Sequence, residues 1–231
     1  MKALLALSLA GAALLTSGAS AQTRFVTGVG ALNDFAIPVT SVLDRKYWTV
    51  IRQQFDFSCG SAALATLLRY HYGMRVREDD VFRGMWAEGD RAQIQRVGFS
   101  LLDMKRYLES MGLRADGYQV SLDQIADAGL PGVALIAPNG YRHFVVVKGV
   151  NDAEVLVGDP SLGLTIMSRD EFLETWNGVY FVLNSEQAFG RRGFNEDRQW
   201  AAFSRAPIGT RFLDPVSLQA LALTLPFYRD F

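Results

Sequence analysis

The sequence predicts an α+β domain, because helix-favouring and strand-favouring stretches occupy separate parts of the chain. Helical patterning runs from Cys59 to about Met111, and β-branched, turn-punctuated patterning from about Tyr118 to Leu183. That order suits helices packed on an antiparallel sheet, not a doubly wound parallel one. With 231 residues, 49% apolar and 20% charged, the chain can bury one substantial core and lacks the composition of a disordered protein. Its 23 basic and 24 acidic side chains leave a formal charge of −1, which gives no basic field for a phosphate backbone, so nucleic acid is not an expected partner. One cysteine cannot form an intramolecular disulfide, and with two histidines it falls short of the usual zinc site. Neither a metal nor a cofactor is expected.

Residues 1–21 read as a signal peptide. Lys2 precedes an apolar stretch, Ala3 to Leu15, that is too short to span a bilayer, and Ala19-Ser20-Ala21 offers the small-x-small pattern of a cleavage site. An uncleaved anchor or a buried terminal helix is the alternative. Cleavage after Ala21 would export the chain, to the periplasm in preference to full secretion, with no integral membrane segment left. Residues 22–44, with Gly28, Gly30 and Pro38, suit an extended N-terminal arm or edge strand, and residues 45–183 form the predicted domain. Residues 184–231 read as an extension in which Arg191-Arg192 is solvated and a Leu-rich helix, Val216 to Leu225, packs on the core.

The first helix of the domain is the run Ala62 to Tyr70, which Ser58 or Asp56 can cap. Ser100 to Met111 is an amphipathic helix ended by Gly112, and Ser121-Leu122-Asp123-Gln124 and Ser168-Arg169-Asp170-Glu171 read as capping boxes. Among the strands, Val133 to Ile136 is short and buried, Pro138-Asn139-Gly140 is a turn, and Arg142 to Gly149 and Glu154 to Pro160 continue an antiparallel meander. A three-residue connection, Val150 to Asp152, sets His143 directly opposite Asp159. Trp86, Tyr107 and Trp176 fit the core better than a ligand box.

An exported chain with an unpaired thiol draws attention to Cys59, which stands in the polar stretch Asp56 to Ser61 at the start of a helix. There the free backbone N–H groups and the helix dipole favour a thiolate, as a nucleophile requires. A base must then come from one of two histidines. His71 lies about 18 Å along the helix axis at 1.5 Å per residue, out of reach, and reads as a helix-end histidine that packs and offsets the dipole. His143 remains, with Asp159 able to hold one ring nitrogen while the other faces the sulfur. An oxyanion donor could come from Gln53 or Gln54, which point to opposite sides of an extended segment.

The run Gln53-Gln54-Phe55-Asp56-Phe57-Ser58-Cys59-Gly60-Ser61-Ala62-Ala63-Leu64, then His143-Phe144-Val145-Val146-Val147, then Asp159-Pro160, resembles the bacteriocin-processing, double-glycine cysteine peptidase family. The resemblance covers about residues 45 to 183 and implies a papain-like fold, its active site in a cleft between a helical lobe and the sheet. It further implies Cys59 as nucleophile, His143 as general base and acid, Asp159 as orienter and Gln53, not Gln54, as the oxyanion donor. It points to a protein or peptide substrate cut after paired glycines, which a narrow cleft would select because glycine lets the backbone come close. The sequence departs from members whose peptidase domain precedes a membrane exporter and an ATPase, since it carries no G-x-x-x-x-G-K-[ST] phosphate loop. It looks more like exported, free-standing members, some of which accompany secreted or fibre-forming proteins. An amidase or acyltransferase could use the same three residues, and a catalytically silent peptide-binding module of a secretion pathway could keep the cleft alone.

Overall fold

The computed structural model describes residues 22–24, 36–38, 41–55 and 57–203. The expected signal peptide, the cap at Asp56 and the helix at Val216 to Leu225 lie outside these residues. The chain divides into two units, Met1–Val42 and Leu43–Phe231. In the first, β1 (Gln22–Arg24) and β2 (Ala36–Pro38) pair antiparallel with each other. These residues of the expected arm thus form a sheet of their own.

After α1 (Val42–Lys46), the second unit begins with helices: α2 (Cys59–His71), α3 (Glu78–Glu88), α4 (Arg91–Val97) and α5 (Leu101–Ser110). Then come β3 (Ala115–Gln119), α6 (Leu122–Ala128), β4 (Gly132–Ile136), β5 (His143–Val150), β6 (Glu154–Asp159), β7 (Gly163–Ser168), α7 (Arg169–Thr175) and β8 (Trp176–Leu183). Two short helices, α8 (Gln187–Arg192) and α9 (Asp197–Ala201), follow. The sheet has the order β3-β8-β4-β5-β6-β7, antiparallel at every pairing. This is the expected α+β arrangement. The meander runs from β4 to β7, and β8 returns to fill the place between β3 and β4.

Both faces of the sheet are covered. Phe144, Val146, Val133 and Phe181 meet Leu64, Leu67, Leu68 and Met104 of the helical layer, while Val145, Val147, Ala134 and Val157 meet Leu122, Ile125 and Phe172 of α6 and α7. That is why β5 is buried along its whole length and reads as a continuous apolar run. Each buried Leu or Phe contributes roughly 1.5–3 kcal/mol. Helix α2 packs between β5 and α3 and is buried nearly all round, not along one stripe. Its Ala and Leu composition provides both the helix propensity and the small surfaces needed for close packing. Among the described residues, no helix is long and apolar enough to cross a membrane.

Several local expectations hold. Ser100 and Ser121 form reciprocal capping boxes with Asp103 and Gln124, and Gly112 follows α5 with a φ of 75°. At α7 only half of the expected box exists, Ser168 Oγ accepting from Glu171 N. Arg191 is not simply solvated, because its Nε donates to the Ala128 carbonyl. Tyr107 and Trp176 are core residues, and Trp86 packs against the core from its edge.

The β5–β6 register departs from expectation. The turn spans Asn151 to Glu154, with Asn151 N donating to the Glu154 carbonyl and Asn151 Oδ1 accepting from Ala153 N and Glu154 N, so Val150 pairs with Val155. Beyond it Gly149 pairs with Leu156 but Val147 with Val157, leaving Lys148 as the extra residue of a bulge. Continuing the Val146–Gly158 pairing places Asp159 opposite Val145, so His143 and Asp159 are diagonal neighbours, not directly opposed.

Lys148 is fully buried, and its Nζ lies 2.9 Å from His71 Nε2 and 3.2 Å from the Thr49 carbonyl. Burial pushes its pKa down to about 7 against a small opposing pull from Glu196. Burial and then the charge of Lys148 hold His71 well below its ordinary value, so His71 is a neutral partner and does not offset the helix dipole as a cation. The unfolded chain keeps the Lys148 proton up to the ordinary value of 10.5, whereas the fold releases it at about 7. Stability from this site therefore rises with pH across that window and is lost as pH falls through it. In Lys148→Met that rise should vanish. Urea midpoints of the two proteins at several pH values between about 7 and 10.5 test this, a window above the ordinary titration of His71, the group whose pKa the substitution would also change.

Candidate active site

The first residue of β5 and the last of β6 lie at the same end of two antiparallel neighbours, which brings His143 and Asp159 together. His143 Nε2 donates to Asp159 Oδ1 at 2.9 Å, with both side chains buried. Oδ1 also accepts from Ser161 N at 2.6 Å and Leu162 N at 3.1 Å, an Asx-type turn that closes the β6–β7 connection. Burial alone would raise the Asp159 pKa. The bond to His143, the imidazolium charge and the two backbone donors outweigh it and hold the carboxyl below its ordinary value.

Cys59 opens α2, whose N-terminal end packs near the start of β5. Its buried side chain lies beside His143, and because Nε2 is taken by Asp159, Nδ1 is the nitrogen left for sulfur. Burial would depress the imidazole, but the bonds to Asp159 and Cys59 and the charges of both raise its pKa to about 9. Gly60 explains how the helix end comes so close to its neighbours: a Cβ there would lie 3.0 Å from Phe99 Cβ, 3.2 Å from Met104 and 3.4 Å from Phe144.

The segment leading to Cys59 is held from two sides. Ser58 is the N-cap of α2 but makes no capping bond with its side chain. Its Oγ donates instead to Glu78 Oε1 at 2.6 Å and accepts from Phe55 N at 3.1 Å. Glu78 is only 3% exposed and also accepts from Gln54 N. Burial raises its pKa in spite of these donors. On the other side Gln53 N donates to the Pro160 carbonyl at 3.0 Å, and Gln53 Oε1 accepts from Ser161 Oγ at 2.9 Å. Gln53 Nε2 donates to the Phe55 carbonyl at 3.2 Å, so the amide is tied both to the Asp159 turn and to the segment entering α2. Gln54 has an exposed side chain, and its contact with Glu78 is through the backbone.

A cleft of about 450 Å³ opens beside the sulfur. Phe57, Phe99, Leu135 and Phe144 line it together with Cys59, Val97, Tyr141, Gln95, Arg96 and Arg142. The expected residues thus divide: Cys59, His143 and Asp159 are brought together, with His143 bonded to Asp159 and next to Cys59, and Gln53 is attached to the Asp159 end without lining the cleft. Sequence reasoning missed Glu78 and Ser161. Ser161 follows Asp159-Pro160 in a recognisable turn stretch, whereas Glu78 opens a helix like many surface acids and carries no signal of burial. Among the described residues no group of acids, histidines and cysteine could hold a metal ion.

Comparison with known proteins adds three findings. A family model described as the Peptidase C39 family matches residues 48–188. The chain is 45% identical over 148 residues to a probable functional amyloid protease, FapD, of Pseudomonas fluorescens, covering 64% of this chain and 66% of that protein. It is 43% identical over 145 residues to the protein of the same description from Pseudomonas aeruginosa, covering 63% and 64%. The chain thus spans just under two thirds of the length of these curated relatives. Among solved structures, the peptidase domain of Streptococcus ComA, a bifunctional ABC transporter of a quorum-sensing pathway, superposes with a TM-score of 0.50 at 20% identity, covering 59% of this chain and 98% of that one. That likeness establishes the fold, the papain-like helix-on-sheet arrangement.

The raised pKa of His143 depends on Asp159 and is directly measurable, because the chain has only two histidines. In an NMR titration His143 should lose its proton near pH 9, and in Asp159→Asn at a clearly lower pH, while His71 stays neutral throughout.

Proposed function

The chain belongs to the Peptidase C39 family, and from that premise we propose that it is an exported cysteine endopeptidase working through Cys59, His143 and Asp159. The observation that carries the reading is the double engagement of His143, with Asp159 on Nε2 and Cys59 on its other side. An imidazole held this way keeps its proton through neutral pH beside the sulfur, which is how a thiolate–imidazolium pair is maintained. The sulfur attacks the peptide carbonyl, and the Cys59 N–H and Gln53 Nε2 donate to the oxygen that becomes negative. His143 passes its proton to the leaving amine, giving a thioester and the free C-terminal fragment. A water molecule, deprotonated by His143, then attacks the thioester, the sulfur leaves as thiolate with the N-terminal fragment released as the acid, and the thiolate–imidazolium pair is restored. Gln53 Nε2 would exchange the Phe55 carbonyl for the oxyanion as substrate enters, in line with the tightening of such bonds in the reacting complex.

The substrate in this reading is an exported protein or peptide cut after a glycine pair, and the partner is a component of a secretion or surface-fibre pathway. Support comes from the family, from two relatives described as functional amyloid proteases and from the signal-like start of the sequence. The periplasm is the proposed site of action.

Cys59→Ala should fold and lose all cleavage of a Gly-Gly-containing peptide, and undiminished turnover would refute the assignment. For the parent, kcat/KM should hold through neutral pH and fall as pH rises through about 9, where His143 loses the proton it must donate.

A further inference from the structure

Each polar group of Ser161 has a partner. Its N donates to Asp159 Oδ1, its carbonyl accepts from Tyr47 Oη, and its Oγ donates to Gln53 Oε1 at 2.9 Å. A primary amide has one accepting and one donating end, and its partners decide which way it points. Turned the other way, the Gln53 amide would set Oε1 against the Phe55 carbonyl, two acceptors face to face. The observed orientation satisfies both ends, with Nε2 toward the segment that enters α2 and Oε1 toward the turn after β6.

We propose that Ser161 is a positioning residue for the oxyanion amide: by donating to Gln53 Oε1 it keeps Nε2 presented as the donor on the nucleophile's side. The inference rests on the reading of Gln53 as the oxyanion donor. A carboxamide rotated by half a turn would meet the developing negative oxygen with an acceptor, so holding its orientation in advance favours the transition state more than the bound substrate. The same turn positions two groups at once, since Ser161 N holds Asp159 while Ser161 Oγ holds Gln53.

The test uses the full chain and a fluorogenic peptide with Gly-Gly on the acyl side. Ser161→Ala should lower kcat about three- to tenfold, the range carried by one neutral hydrogen bond, with KM unchanged. Ser161→Thr, which keeps the hydroxyl, should restore most of the loss. In a Gln53→Ala background, Ser161→Ala should cost less than about twofold more, because coupled residues do not add. The fall of kcat/KM near pH 9 should stay in place, since the backbone donor to Asp159 is retained. An undiminished kcat, an equal loss in the Gln53→Ala background, or a shifted pH profile would each overturn the proposal. Absence of Cys59-dependent cleavage by the parent would instead overturn the functional reading. The role of Ser161 is then decided by the 15N order parameter of the Gln53 side-chain amide, which should fall in Ser161→Ala and which, if unchanged, refutes it.

Discussion

A single carboxylate oxygen organises this end of the molecule. Asp159 Oδ1 takes one donor from the imidazole of β5 and two from the backbone of its own turn. Taking a carboxylate out of water is costly, and three donors on one oxygen are what make its burial tolerable. Because the bonds run in different directions, they fix the turn, the imidazole and, through Ser161 and Pro160, the segment carrying Gln53. The imidazole in turn meets sulfur only because α2 is wedged between β5 and α3. The site is therefore a property of the packed unit, assembled from residues far apart along the chain.

Buried polar groups elsewhere are less fully matched, and His71 Nδ1 and Glu78 Oε2 have no hydrogen-bond partner among the described residues. Lys148 interrupts the regular pairing of β5 and turns inward, where the Thr49 carbonyl and His71 receive its Nζ and the Tyr70 ring lies 5.7 Å away. Burial brings its pKa down to about 7 and, with the charge of Lys148, holds that of its neighbour His71 well below the ordinary value. Glu78 is the counterpart on the nucleophile's side, a carboxylate supported by Ser58 and Gln54 N without a cation. Strand β5 is thus flanked by ionisable groups whose pKa shifts have burial as their first cause.

Much of this was legible in the residue order. Segregated helical and β patterning led to the layer arrangement, turn chemistry located β5 and β6, and elimination between two histidines left His143 as the one able to approach Cys59. What could not be read depended on contacts between distant residues. The register of β5 on β6 turned on where the connecting turn closes and then on a bulge at a lysine that looks solvent-exposed in sequence, and the role of Ser58 turned on a glutamate from the next helix. His71 was read as a cation at a helix end, a local argument that gives way once a buried ammonium is its neighbour. Local rules describe the backbone well, whereas a buried charge is decided by whatever the rest of the chain places beside it.

The glycine after Cys59 has an implication for remodelling the protein. With hydrogen in place of a methyl group, the helix settles onto Phe99, Met104 and Phe144 at contact distance. Alanine there would lift the opening turn by a few tenths of an ångström, a displacement the hydrophobic interior could absorb. The sulfur would travel with it. Thermal melting would register little, yet the reacting atoms would sit off their line of approach, so a screen for solubility alone would pass a protein that has lost its aim.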